Sequence, residues 1–247
     1  PATGSEMNVN SVVTRESTKE KLYFGSPHVL PKFSILDPET TFSLPPHQVA
    51  NGVVDAFVHV MEQYMTYPVG AALQDRQAEA ILLTLIDQGP KAMERPDDYA
   101  VRANIMWTAT QALNGLIGVG VPQDWATHMI GHEITALYGL DHAVTLAIVL
   151  PGLLRHKSNE KREKLLQYAE RVWGVTSGTE DERIEAAITR TEEFFRLMGL
   201  RTKLSEHDIP ASDATRIAKA RERHGLPLGE RGDIGVQDIV AILERCA

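Results

Sequence analysis

Four histidines and one aspartate stand where their spacing could gather them around a cation. Asp55 and His59 are four residues apart, which on a helix puts both on one face about 6 Å apart along the axis. Their neighbours Val53, Val54, Ala56, Phe57, Val58 and Val60 are all apolar. A carboxylate in such company needs a cation or a hydrogen-bond donor, because water is excluded from it. The plainer alternative is a hydrogen bond between Asp55 and His59 alone. His128 and His132 repeat the spacing, and His142 follows a break at Gly139 that could turn it back toward them. A metalloprotease signature is absent: His132-Glu133-Ile134-Thr135 is followed by Ala136 where His-Glu-x-x-His needs a second imidazole.

Taken together, Asp55, His59, His128 and His142 offer one hard oxygen and three imidazoles, a set suited to one divalent ion, Zn(II) or Fe(II). His132 is left over, and an uncommitted imidazole beside a Lewis acid is suited to carrying a proton. The competing account makes all of them core histidines that only hydrogen-bond. His28, His47, His156, His207 and His224 lie in polar or turn-like segments without a partner at ligand spacing, which assigns them surface or capping roles.

Helices must position these residues. From Leu44-Pro45-Pro46 onward the apolar period is helical, with helices expected near 46–65, 71–88, 97–117, 122–138, 142–155, 159–174, 179–198, 211–224 and 235–245. The best marked is 179–198, where Thr179 and Glu182 have capping-box spacing and Gly199 supplies the stop. Residues 1–44 differ: Val12–Thr14, Lys21–Phe24 and Lys32–Leu36 are β-prone runs separated by turn residues, too few to bury a core of their own. The expected fold class is mainly α: a helical metal-binding domain over 45–247, preceded by a 1–44 remnant of a dinucleotide-binding α/β domain. Gly115-Leu-Ile-Gly118-Val-Gly120 follows a helix, not a strand, and reads as a helix terminator. Thr3-Gly4-Ser5 could cradle a phosphate or simply turn.

Composition narrows the partners. The formal charge of −8 argues against nucleic acid, and the one dense basic run, Arg155 to Lys164, is interrupted by Glu160 and Glu163. Cys246, the only cysteine, excludes a disulfide scaffold and fits a reducing, cytoplasmic setting. No run of about 18 apolar residues suggests a membrane span, and the N-terminus lacks signal-peptide order. Beginning at Pro1, directly before a turn, the chain reads as a truncated one.

The stretches Pro1–Glu6, Ala50–His59, Pro122–Glu133 and Gly139–Pro151 resemble the iron-containing (group III) alcohol dehydrogenases, specifically their NADPH-dependent aldehyde reductase and butanol dehydrogenase branch. The likeness runs from the first residue to about Leu200 and thins afterwards. It implies that Asp55, His59, His128 and His142 bind one catalytic divalent metal and that His132 is a catalytic residue beside the nicotinamide and the substrate. It also implies that Thr3, Asn8 and Lys21 touch the cofactor, NADP(H) ahead of NAD(H), with Thr40 beside it. A small aldehyde or alcohol is the implied substrate and a homodimer the implied assembly. The glycine-rich half of such enzymes does not precede Pro1, so this chain is expected to be inactive alone. Two rivals stand beside this expectation: a metal-dependent lyase of the dehydroquinate synthase type, and a non-catalytic helical interaction module.

Overall fold

The computed structural model describes residues 2–18 and 20–247; Pro1, at the head of the first resembling stretch, lies outside them. β1 (Asn10–Arg15) and β2 (Glu20–Gly25) pair antiparallel, with Val12 opposite Tyr23. The third β-prone run, 32–36, is not a strand: no neighbour is available to pair it, and prolines 31 and 38 bracket it. A β-prone composition without a partner leaves the segment extended, with Phe33 and Ile35 strongly exposed.

Nine α-helices follow among the described residues: α1 (Pro46–Tyr64), α2 (Ala72–Glu94), α3 (Tyr99–Leu113), α4 (Ala126–Tyr138), α5 (His142–His156), α6 (Arg162–Arg171), α7 (Glu180–Leu197), α8 (Ala214–His224) and α9 (Val236–Glu244). The architecture is mainly helical with a two-stranded sheet at its edge. α2 runs six residues past its expected end despite Pro90, because its buried row Leu82, Leu85, Gly89 and Ala92 continues to pack beyond the lost N–H. α3 stops four residues early, at Leu113, where Gly115 turns with φ of 88°. α4 starts four residues late, since Asp124 accepts from the Ala126 N–H at 2.9 Å and holds the residues before the helix in a turn.

α1 is the hub, packed against α2, α3 and α5. It is buried on nearly every side, polar face included, the mark of a helix that runs through a core. Phe57 meets Phe194 and Phe195 of α7 at ring-centroid distances of 5.4 and 5.5 Å. α7 carries the expected capping box in full, with Ile184, Ala187, Ile188, Thr191, Phe194 and Phe195 buried along one face. α4 and α5 meet at a corner around Gly139, whose φ of 73° is the left-handed conformation that glycine adopts freely. Their close approach depends on Gly131: a Cβ there would sit 2.8 Å from Thr145 Oγ1. That approach brings the histidines of α4 beside the first residue of α5.

Candidate metal centre

Three helices deliver the titratable side chains to one place. α1 contributes Asp55 and His59 one turn apart, α4 contributes His128 and His132, and α5 opens on His142. Asn51 of α1 donates to Asp141 Oδ2 at 2.9 Å, fixing the residue before α5 against the hub. The Nε2 atoms of His59, His128 and His142 lie 3.5, 3.5 and 3.8 Å from Asp55 Oδ1. Asp55, His128 and His142 each present a ligand atom within 4.8 Å of the others. His59 joins through Asp55, and its ring stacks on that of His128 with centroids 4.7 Å apart.

These separations are too long for hydrogen bonds, which close at about 2.7–3.2 Å. Asp55 Oδ1 and His128 Nε2 are buried without any hydrogen-bond partner, so the simple Asp55–His59 hydrogen bond does not form. Two ligands each about 2.1 Å from a tetrahedral ion stand about 3.4 Å apart, which is the spacing found here. The oxygen and nitrogen donors, their spacing and their unmet valences all fit a divalent cation.

Electrostatics keep most of the imidazoles ready. Burial holds His59 down at about 4, helped by His128 and opposed by Asp55. Burial likewise lowers His142 to about 3 and His132 to about 2, with neighbouring imidazoles and Lys21 adding to the shift. Burial would raise Asp55, yet the facing His59, His128 and His142 hold its carboxyl well below the usual range. His128 goes the other way. Burial disfavours its charged form, but Glu62 and Asp55 together lift it to about 9. Without a cation, His128 carries the proton that a bound ion would displace.

In front of the cluster lies a cavity of about 690 Å³, with Trp125, Leu113 and Met129 among its walls. The Trp125 ring stands edge-on to His128 at 5.4 Å, and its Nε1 donates to Gln123 Oε1 at 2.9 Å. Of the side chains expected at a cofactor, Thr3 and Lys21 line this cavity, as does His132. Burial depresses the Lys21 ammonium, partly offset by Asp55. Asn8 does not line the cavity; it donates to the Thr3 carbonyl at 3.0 Å and so shapes the turn beneath it. Thr40 does not line it either: exposed on the short 3-10 turn Pro38–Thr41, it donates to the Asp37 carbonyl at 2.7 Å.

Two features escaped the sequence reading. Glu62, buried on α1, places Oε2 against His128 Nδ1 and accepts the His128 backbone N–H on Oε1 at 3.2 Å. Its signal was the spacing 55, 59, 62, which puts all three on one helical face. His224 is not a simple surface group: its Nδ1 meets the buried Glu133 Oε1 at 2.8 Å, joining the end of α8 to α4. His156 likewise pairs with Asp238 at 3.0 Å.

Comparison with known proteins finds relatives along nearly the whole chain. Residues 49–247 match the C-terminal part of the Fe-containing alcohol dehydrogenase family, so the likeness continues well past Leu200 to the end of the chain. The chain is 61% identical over 235 residues to the NADPH-dependent aldehyde reductase YqhD of Escherichia coli K12, covering 95% of this chain and 61% of that protein. It is 39% identical over 245 residues to the probable NADH-dependent butanol dehydrogenase 1 of Bacillus subtilis, covering 98% of this chain and 63% of that one. The crystal structure of Escherichia coli YqhD superposes with a TM-score of 0.99 at 58% identity, over 100% of this chain and 64% of that one. Against the NADH-dependent butanol dehydrogenase A of Thermotoga maritima the TM-score is 0.93 at 33% identity, over 100% of this chain and 64% of that one. The chain thus spans less than two thirds of the length of these relatives.

Proposed function

Because the chain belongs to the iron-containing alcohol dehydrogenase family, we propose that it is the metal-binding part of a cytoplasmic, homodimeric aldehyde reductase that passes hydride between NADP(H) and a short- or medium-chain aldehyde or alcohol. In this reading residues 45–247 form the metal domain and residues 1–44 belong with a dinucleotide-binding domain. The observation that carries it is the meeting of three imidazole Nε2 atoms on the unpartnered Asp55 Oδ1. NADP(H) is preferred to NAD(H) because the 61% identical relative is NADPH-dependent.

Asp55, His59, His128 and His142 would hold the ion, Zn(II) or Fe(II). When bound, the ion polarises a carbonyl oxygen and the reduced nicotinamide supplies the hydride. The chain's own residues do the rest. Neutral His59 and His142 keep their lone pairs at pH 7 and need shed no proton to bind. Trp125, Leu113 and Met129 wall the cavity and keep water from the reacting carbonyl. His132, neutral and 4% exposed, lines the cavity and would relay a proton, taking one from water on one ring nitrogen as the other gives its own to the substrate oxygen, so that the ring ends neutral as it began. Thr3 and Lys21 offer a hydroxyl and an ammonium to the cofactor and Asn8 supports Thr3 from behind; Thr40, outside the cavity, is assigned beside the cofactor on the family likeness alone.

The test is elemental analysis together with NADPH oxidation by propanal and butanal. Both are measured on the chain alone and on the chain joined behind an N-terminal dinucleotide-binding domain of the YqhD kind. About one zinc or iron per chain and aldehyde-dependent oxidation by the joined protein are expected. A lyase would consume no NADPH, and a non-catalytic module would hold no stoichiometric metal; either result overturns the proposal.

A further inference from the structure

Three imidazoles face Asp55, but they are not held alike. The Nδ1 atoms of His59 and His142 are buried with no hydrogen-bond partner from the protein. His128 differs, because Glu62 grips it twice: Oε2 faces the ring Nδ1 and Oε1 accepts the backbone N–H of the same residue. Glu62 is 3% exposed and takes no water-facing role. A carboxylate has two separate acceptor oxygens, and here each meets one donor of one residue. An amide would offer one acceptor and set its NH₂ group against the other donor.

We infer that Glu62 is a positioning residue for the metal, keeping the proton of His128 on Nδ1 and its ring oriented so that Nε2, on losing its own proton, faces the cation. This rests on the metal site proposed above. A ring nitrogen that donates to a carboxylate leaves the opposite nitrogen more basic and fixed in direction. His128 is therefore the ligand that a carboxylate orients, whereas the rings of His59 and His142 are held by packing against neighbouring rings.

The experiment titrates metal-free wild type, Glu62→Gln, Glu62→Ala and His128→Ala with Zn(II) in competition with a chromophoric chelator. The ¹⁵N shifts of the His128 ring are recorded in zinc-loaded wild type. Glu62→Gln is expected to bind zinc about 10–100-fold more weakly with helicity unchanged, and His128→Ala more weakly still. The wild-type shifts should report Nδ1 protonated and Nε2 on the metal. Wild-type affinity in Glu62→Gln, with His128→Ala impaired, would overturn the role of Glu62 and leave the metal site standing. Zinc bound at Nδ1 of His128 in wild type would overturn it without any variant, so a Glu62 variant that failed to fold would not protect the inference. If wild type bound no stoichiometric zinc and His128→Ala matched it, the metal site itself would fall and Glu62 with it.

Discussion

Two buried groups of polar side chains share helix α1, and they solve the problem of burial in opposite ways. Around Tyr64, at the end of the helix, every demand is met internally. The Tyr64 hydroxyl donates to Glu79 at 3.0 Å, Gln167 donates to Tyr64, Asp75 and Glu79, and Arg171 adds a contact to Glu79 at 3.2 Å. Lys164 pairs with Asp75 and lies 4.6 Å over the Tyr64 ring. Two turns earlier, around Asp55, the atoms face each other at distances no hydrogen bond spans, and several have no partner at all. Burial of charge is common to both. What separates a strut from a binding site is whether the valences close among the protein's own atoms.

The sharpest way to break the contrast is to delete a ligand. His142→Ala should reduce metal content from about one equivalent to near none, a fall in affinity beyond the ~100-fold expected for an outer partner, measured by elemental analysis after dialysis. Retained stoichiometric metal would show that the Asp55 group closes without His142. Next in size, zinc at about 100 times its dissociation constant should raise unfolding free energy by about 2.7 kcal/mol in wild type, while leaving the Tyr64 group untouched. Glu79→Ala should cost about 1–3 kcal/mol in urea unfolding, through the hydroxyl and amide left unsatisfied, yet bind zinc as wild type does. Weakened zinc binding in that variant would mean the two groups are coupled through α1.

The smallest expected effect is in pH. In the metal-free protein His59, His142 and His132 are held at about 4, 3 and 2 against an ordinary 6.5. The unfolded chain takes up protons first, so the stability these three contribute is whole above pH 6.5 and is lost as pH falls toward those values. His128, lifted to about 9, contributes stability that is whole below pH 6.5 and lost as pH rises to 9. Of these four imidazoles three act on the acid side and one on the alkaline side, and the lowered Asp55 carboxyl adds to the acid side. Denaturant midpoints should therefore fall more steeply below pH 6.5 than above it, with Glu79→Ala shifted down but of the same shape. A flat acid limb would mean the imidazoles are not held neutral.

Much of this was legible before any coordinates. The spacing of Asp55 and His59, the pair His128 and His132, and His142 just past Gly139 each follow from the helical period and a glycine stop, and these signals are local. The capping box at Thr179 was legible for the same reason. Glu62 was not, because its meaning depends on the start of α4 lying against α1, a contact between residues 66 positions apart. The link from His224 to Glu133 was hidden in the same way, across 91 positions. The segment 32–36 failed in the opposite direction: its residue types favour a strand, but a strand is a property of two segments, and one sequence run cannot supply its own neighbour. Asn8 and Thr40 could be placed near a cofactor by likeness alone, whereas their orientation comes from the turns that hold them.

The missing side chain at Gly131 has a lasting consequence. Because α4 and α5 touch backbone to side chain at that point, the gap between His128 and His142 is set like the jaw of a fixed spanner rather than an adjustable one. An ion of a different radius has to be accommodated by swinging rings, since the two helices have no room left to close.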